Sequence, residues 1–481
     1  MSIFRTKSVQ ALLADSTHGG GLKKTLGPVD LVLLGIGAII GAGLFSLTGV
    51  AAANNAGPAV TLSFVAAAIG CAFAGLCYAE FASMIPVAGS AYTYAYATMG
   101  EFMAWIIGWD LVLEYAVGAA TVGISWSGYF IKLMHNIGIE MPTQLIASPW
   151  QPVKIDGVEH FGMINLPAVF IIWAITLLLV KGTRDSAVIN AILVVVKVSV
   201  VLIFIGFGWS YINSANYDSY IPENTGKFGE FGLSGILRGA GVVFFAFIGF
   251  DAVSTAAQEA KNPKKDMPIG IIGSLIVCTI LYVLFAHVLT GIVHFSEFKG
   301  NAAPVALAID KTPYKWLNNS ILIAILAGYS SVILVMLLGQ SRVFLSMSKD
   351  GLLPKVFSDV HPKFQTPWKS NLLFGVVVSA FAAFAPVALV GEITSMGTLL
   401  AFILVCVGII IMRKKQPDLP RAFRTPLVPL VPILGILSCG AMLASLLTDW
   451  EHIIRLVGWL ILGLIIYFAY SKNHSKLNQR S

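Results

Sequence analysis

Residues 35–43 read Gly-Ile-Gly-Ala-Ile-Ile-Gly-Ala-Gly and lie inside the first long apolar run of the chain, residues 30–54. Four glycines in nine residues make a poor helix interior, because each glycine costs up to about 1 kcal/mol relative to alanine. One interpretation is close helix packing, since small residues are common where membrane helices touch. The other is an unwound segment, which membrane depth tolerates only beside a cavity. Backbone N–H groups there, at the start of a half-helix, would hold a carboxylate.

The segment 244–251 reads Phe-Phe-Ala-Phe-Ile-Gly-Phe-Asp and lies in the sixth apolar run. Taken alone, it is typical of a packed aromatic stripe. Its position adds a second interpretation, because a repeat of five membrane crossings is odd-numbered and its second copy must be inverted. Interrupted helices at matching positions of two inverted halves indicate a substrate site near the middle of the membrane.

The composition of the whole chain indicates a membrane protein. Of 481 residues, 31 are Lys or Arg and 24 are Asp or Glu, so that 11% are charged, while 57% are hydrophobic. A soluble protein carries about 25% charged residues, and a disordered one has low hydrophobicity. A membrane-spanning helix needs about 20 mostly apolar residues. About twelve runs fit, at 30–54, 58–84, 100–130, 163–181, 187–211, 236–258, 269–293, 317–345, 371–388, 392–412, 427–447 and 452–471.

These runs predict an all-α polytopic membrane protein with about twelve transmembrane helices. Its expected parts are a cytoplasmic N-terminal segment, a first five-helix repeat, a second five-helix inverted repeat, two appended helices and a cytoplasmic tail. They cover residues 1–29, 30–211, 236–412, 427–471 and 472–481. The longest connecting segment, residues 132–162, contains three prolines and is expected to be an ordered loop outside the membrane.

The distribution of Lys and Arg predicts the orientation. If the N-terminus is inside, the inner side receives almost three times as many basic residues as the outer side, as the positive-inside rule requires. Both termini are therefore expected in the cytoplasm of a multi-pass plasma membrane protein. The net charge of +7 follows from this bias, so nucleic acid is not an expected partner. The five cysteines all lie in apolar runs, without a disulfide or metal-ligand pattern.

Ionisable residues inside the membrane are rare, costly and functional by default. Lys197 lies in the middle of the fifth run, too deep for its ammonium to reach water easily. It could carry a proton or replace a bound cation, unless the span edge is misplaced. Asp110 and Glu114 lie four residues apart in the third run, and Glu114 is either functional or a structural hydrogen-bond acceptor. Glu80 is expected at the membrane interface.

Several motifs together resemble the cationic amino acid transporter family, a branch of the amino acid–polyamine–organocation superfamily, and its bacterial amino acid permeases in particular. They cover nearly the whole chain: the glycine run 35–43, Tyr-Ala-Glu-Phe at 78–81, Pro-Val-Ala-Gly-Ser-Ala-Tyr at 86–92, the segment 244–254 followed by Glu-Ala-Lys-Asn-Pro at 259–263, and Ser-Lys-Asp-Gly-Leu-Leu-Pro at 348–354. The resemblance implies the leucine transporter-type fold, in which spans 1 and 6 are broken and spans 11 and 12 are appended.

The resemblance also implies roles for particular residues. The substrate carboxylate would meet the backbone of Gly41, Ala42 and Gly43, where Ala42 replaces a hydroxyl residue found in many relatives. The substrate ammonium would meet backbone carbonyls near Ile39, Phe245, Ala246 and Ile248, with Phe245 also part of a gate. Met336, together with Ser331 and Val335, is a candidate for the side-chain pocket. Lys197 matches the lysine of proton-coupled members, which implies sodium-independent transport with Glu114 as a second proton-coupling candidate.

The leading hypothesis is proton-coupled symport of neutral L-amino acids, small or branched-chain, into the cell. The apolar lining of the predicted pocket favours neutral substrates. Uptake of Arg or Lys, amino acid exchange and a transporter-like sensor are the alternatives. No cofactor other than the coupling proton and no metal is expected, and no protease or other catalytic motif indicates an enzyme. The expected partners are the amino acid and the lipid bilayer; the sequence leaves a small membrane subunit and the oligomeric state open.

Overall fold

The computed structural model describes residues 5–12, 26–87, 89–150, 153–155, 158–181, 186–257, 260–314, 318–364 and 366–479. Five basic residues used for the predicted orientation lie outside these ranges: Lys23, Lys24, Arg184, Lys315 and Arg480. Two motif residues, Ala88 and Glu259, also lie outside them. Most of the predicted N-terminal segment is likewise not covered.

The described chain is almost entirely helical. In chain order the helices are α1 (Pro28–Ile39), α2 (43–56), α3 (Val60–Met84), α4 (Ser90–Thr98), α5 (Glu101–Asn136), α6 (Leu166–Lys181), α7 (Ser186–Gly208), α8 (Gly232–Val243), α9 (Ala252–Thr255), α10 (Pro263–Ile292), α11 (Pro304–Asp310), α12 (Asn318–Lys349), α13 (Trp368–Phe384), α14 (Val387–Lys415), α15 (Leu430–Leu446) and α16 (Trp450–Ile466). Two three-residue strands, β1 (Val153–Ile155) and β2 (Val158–His160), pair antiparallel in the predicted loop.

Length and apolar composition identify the helices that could cross a membrane. Within the described residues, eight helical stretches meet both requirements, and four shorter apolar helices of 10–17 residues accompany them. The short ones are α1, α6, α13 and α15. The prediction of a helical chain with many candidate membrane spans is therefore confirmed. One difference from the sequence is that α5 continues to Asn136, six residues beyond the predicted end of the third run.

The packing of the helices places the two glycine-bearing segments at the centre of the bundle. Helix α10 packs along both α3 and α1, α12 packs along α5, and α14 packs along α15. The outward faces of α6, α7, α13 and α16 expose large apolar side chains such as Phe170, Leu202, Val376 and Ile465. A protein surface this apolar is suited to lipid rather than to water.

Candidate functional site

The first glycine run interrupts its helix. Helix α1 ends at Ile39, and Ile40 has the extended ψ value of 106°. The carbonyl of Gly41 then accepts hydrogen bonds from Leu44 N at 3.1 Å and Phe45 N at 3.2 Å, so the chain becomes helical again from Gly43. The interruption predicted for this run is present. The N–H groups of Ala42 and Gly43 stand at this helix start, where no carbonyl of the same helix can accept from them.

The second segment interrupts its helix in the same way. Helix α8 ends at Val243, residues Phe244–Phe247 form a 3₁₀ turn, and Ile248 is extended with ψ of 133°. Gly249 has φ of +116°, a conformation that only glycine adopts readily. A Cβ atom at Gly249 would also lie 2.9 Å from the carbonyl carbon of Ala38. This glycine is therefore needed both for the turn and for the close approach to α1.

The two interruptions touch each other. A Cβ atom at Gly43 would lie 2.2 Å from the Cα atom of Ala246, so only glycine allows this contact. The residues predicted to meet the substrate are all buried and gathered here: Ile39, Gly41, Ala42, Gly43, Phe245, Ala246 and Ile248. Because the two backbones are in direct contact, a ligand between them requires that they separate.

Tyr282 of α10 joins the two interruptions and was not among the predicted site residues. Its hydroxyl lies 2.9 Å from the carbonyl oxygen of Ile39 and 2.9 Å from that of Ala246. Both carbonyls belong to the set predicted to meet a substrate ammonium. A tyrosine in an apolar run is ordinary in sequence, so no signal distinguished this one.

Lys197 lies at the end of α1 that faces the interruption. It is in the interior of α7, within the candidate span Ala191–Tyr211, and is 1% exposed, which favours a deep position over a misplaced span edge. Its ammonium donates a hydrogen bond to the carbonyl oxygen of Gly37 at 2.7 Å. In an unbroken helix that carbonyl would accept from Gly41 N. The ammonium therefore partners an orphan carbonyl at the negative end of the helix dipole, while its stem packs along Gly328 of α12.

Three carboxyl groups are buried near the second interruption. Asp110, Glu114 and Asp251 are each 0% exposed. Tyr115 donates to Asp251 Oδ2 at 2.6 Å, and Ser90 lies 3.5 Å from the same oxygen. Within the described residues no basic side chain forms an ion pair with any of the three.

The helical geometry of α5 changes close to its two acidic residues in the third run, Asp110 and Glu114. A π-helical segment, Leu113–Val117, contains Glu114 and widens the turn that begins at Leu113. Such segments are frequent at functional sites. Glu114 lies beside Asp251, whereas an oxygen of Asp110 faces Gly397 of α14. Asp251 stood in a quoted motif, but its proximity to Glu114 depends on tertiary packing and could not be predicted.

Helix α12 covers the first interruption on another side. Val332 is the side chain that lies against Gly41, since a Cβ there would be 3.1 Å from Val332 Cγ2. Met336, predicted for the side-chain pocket, lies one turn further along and packs near Gly118 of α5. The hydroxyl of Ser331 donates to the carbonyl of Gly328 in its own helix. Val332 is therefore a lining residue that the sequence analysis did not select.

Glu80 belongs to a separate ionic cluster. Its carboxylate is 0% exposed, and it lies one turn before the end of α3, so the predicted place at the membrane interface stays a prediction. Arg413 donates two hydrogen bonds to it, from Nε at 2.8 Å and Nη2 at 2.9 Å. Arg421 and the backbone N–H of Thr425 complete the set, at 3.1 Å and 2.8 Å. Paired in this way, the buried charge is satisfied.

Comparison with known proteins places the chain in a family. A sequence profile of the amino acid permease family matches residues 26–469. The branched-chain amino acid permease BcaP of Bacillus subtilis is 48% identical over 478 residues, which cover 99% of both chains. The methylthioribose transporter of the same organism is 39% identical over 479 residues, covering 99% of this chain and all of the relative. The vacuolar cationic amino acid transporter 4 of Arabidopsis thaliana is 37% identical over 415 residues, 85% of this chain and 66% of the relative.

The chain therefore belongs to the amino acid permease family within the amino acid–polyamine–organocation superfamily. This family comprises transporters and not enzymes, which agrees with the prediction from the motifs. An amino acid permease sits in a membrane and binds an amino acid there, and the apolar helices agree with the membrane location.

Proposed function

We propose that the protein takes up neutral, branched-chain or small L-amino acids by proton-coupled symport without sodium. The observation that carries the proposal is the buried contact between the two interrupted helices, where backbone groups suited to both ends of an amino acid lie together. Glycine N–H groups of the first interruption would bind the carboxylate, and the carbonyls of Ile39 and Ala246 would bind the ammonium. Amino acid transport is also the activity in the names of the branched-chain amino acid permease and the cationic amino acid transporter to which the chain is similar.

The proposed fold is the leucine transporter type with twelve spans. The number of candidate spans approaches twelve when the four shorter apolar helices are counted and α1 and α2 together form the first span. The proposed halves, 30–211 and 236–412, then each begin with an interrupted span. The distribution of Lys and Arg supports cytoplasmic termini, and bacterial relatives support the cell membrane as the location.

Neutral substrates are favoured by the side chains around the contact. Val332, Ile39 and Ala246 offer apolar surface. The Bacillus subtilis relative that is similar over its full length is named for branched-chain amino acids. Uptake of Arg or Lys is the alternative that Glu114 and Asp251 would serve, because these two neighbouring carboxyl groups are buried near the second interruption. The cationic transporters among the relatives keep this alternative open.

Proton coupling is proposed to act through Lys197. A protonated ammonium holds Gly37 and with it the end of α1, where the helix dipole favours positive charge. Loss of the proton weakens that contact, which would let α1 move and the site open. Transport would thereby exchange one proton at Lys197 without a bound metal ion. Glu114 beside Asp251 is a second place where a proton could be held.

The test is uptake of labelled leucine by the purified protein in lipid vesicles. We expect accumulation when the outside is acidic, without sodium and without internal substrate, and competition by isoleucine, valine and alanine. Accumulation that requires internal amino acid would establish an exchanger instead. Competition by arginine and lysine alone would establish the cationic alternative. Competition by methylthioribose, a neutral sugar without amino or carboxyl groups, would overturn the proposed recognition of both ends of an amino acid.

A further inference from the structure

The hydroxyl of Tyr282 occupies the position where the two interrupted helices expose their carbonyls. Its oxygen is 2.9 Å from the oxygens of Ile39 and Ala246, and the side chain is fully buried. The ring is fixed by aromatic neighbours, with centroids 5.5 Å from Phe64 of α3 and 5.3 Å from Phe247 of the 3₁₀ turn. The hydroxyl is therefore held on these two acceptors by packing.

One hydroxyl cannot fully satisfy two carbonyls. A tyrosine O–H has a single proton to donate, so the carbonyls of Ile39 and Ala246 share it. An ammonium group has three N–H donors and can serve both carbonyls at once. The two carbonyls are also the ones proposed to receive the substrate ammonium. The hydroxyl and the ammonium therefore compete for the same acceptors.

We propose that Tyr282 is a positioning residue that substitutes for the substrate ammonium in the empty protein. It holds the two interruptions together when no amino acid is bound, so that the empty transporter can close and reorient. The inference rests on the proposed function, because it assumes that an amino acid binds between the interruptions. When substrate arrives, its ammonium displaces the hydroxyl, and the two backbones separate around it.

This role separates two modes of transport. Net uptake requires the empty protein to reorient in every cycle, whereas exchange of internal for external amino acid uses only loaded states. Tyr282→Phe keeps the ring and its packing but leaves both carbonyls without a donor in the empty state. A hydrogen bond between neutral groups contributes about 0.5–1.5 kcal/mol. The empty closed state therefore becomes about 2- to 12-fold less populated.

The experiment compares the wild-type protein, Tyr282→Phe and Tyr217→Phe in lipid vesicles. Tyr217 is the matched control, because its hydroxyl donates at 2.5 Å to the carbonyl of His287, on the same helix but away from the interruptions. For Tyr282→Phe we expect a lower KM for leucine and a slower net uptake, each by about 2- to 12-fold. Leucine exchange should keep the wild-type rate, and Tyr217→Phe should leave the ratio of net uptake to exchange unchanged.

Three results would overturn the proposal. A higher KM in both modes would mean that the hydroxyl binds the substrate itself. An equal loss of net uptake and exchange would mean a purely structural role. Wild-type values in both modes would mean that the hydroxyl has no part in the cycle.

A binding measurement separates this proposal from the proposed function. Leucine should raise the thermal stability of purified Tyr282→Phe more than that of the wild type, and 4-methyl-2-oxopentanoate, which lacks the ammonium, should not. If leucine neither raises the thermal stability of the wild-type protein nor is transported by it, the proposed function is wrong. If the wild type binds and transports leucine but Tyr282→Phe gains no extra stabilisation, only the role of Tyr282 is wrong.

Discussion

Replacing Lys197 with methionine removes the proposed proton carrier and keeps most of its packing. Methionine preserves an unbranched stem against Gly328, but the carbonyl of Gly37 loses the donor that lies at 2.7 Å. A hydrogen bond from a charged group contributes about 1.5–3 kcal/mol. Burying an ammonium is itself costly, so methionine recovers part of this energy and the lower end applies. We therefore expect the equilibrium constant for the state in which α7 holds the end of α1 to fall by about tenfold.

The assay is accumulation of labelled leucine in vesicles under an inward proton gradient. Lys197→Met should lose gradient-driven accumulation and its dependence on external pH, while leucine exchange continues. The matched control is Lys132→Met, which removes another lysine that pairs with Asp310 at 3.0 Å, outside the proposed site. This control should accumulate leucine normally. Full gradient-driven accumulation by Lys197→Met would refute the role assigned to Lys197.

Three further substitutions test the site and the fold. Gly43→Ala would place a Cβ 2.2 Å from the backbone of the facing interruption, so we expect uptake to be lost, whereas Gly440→Ala meets open space and should transport normally. Glu80→Gln leaves two arginines without their buried partner and should destabilise the protein by about 3–5 kcal/mol in thermal unfolding. The surface change Glu451→Gln should cost less than about 1 kcal/mol. Glu114→Gln should leave leucine uptake present; loss of arginine uptake alone would favour the cationic alternative.

Local backbone chemistry made part of the structure predictable from sequence. The four glycines at 35–43 disfavour a continuous helix, and the matching place of 244–251 in an inverted second half indicated the other interruption. Lys197 could be recognised as deep because its surroundings in the chain are apolar over a long stretch. The candidate spans were predictable because apolar composition and helix length are properties of single segments.

Contacts between distant segments were not predictable. The partner of Lys197, the carbonyl of Gly37, is a backbone atom, and backbone atoms carry no signal in the sequence. Tyr282 and Val332 acquire their positions only when α10 and α12 pack against the first interruption. The neighbourhood of Glu114 and Asp251 likewise depends on tertiary packing between segments far apart in the chain.

The ionic cluster of Glu80 has a mechanical consequence. It joins α3, from the first proposed repeat, to the end of α14, from the second, through a bidentate charged contact and a further arginine. Helix α1, in contrast, is fastened near its end by single hydrogen bonds from Lys197 and Tyr282. The charged cluster should therefore resist a conformational change more strongly than these single hydrogen bonds do. Helices α3 and α14 should move as one rigid body, and α1 should move relative to that body.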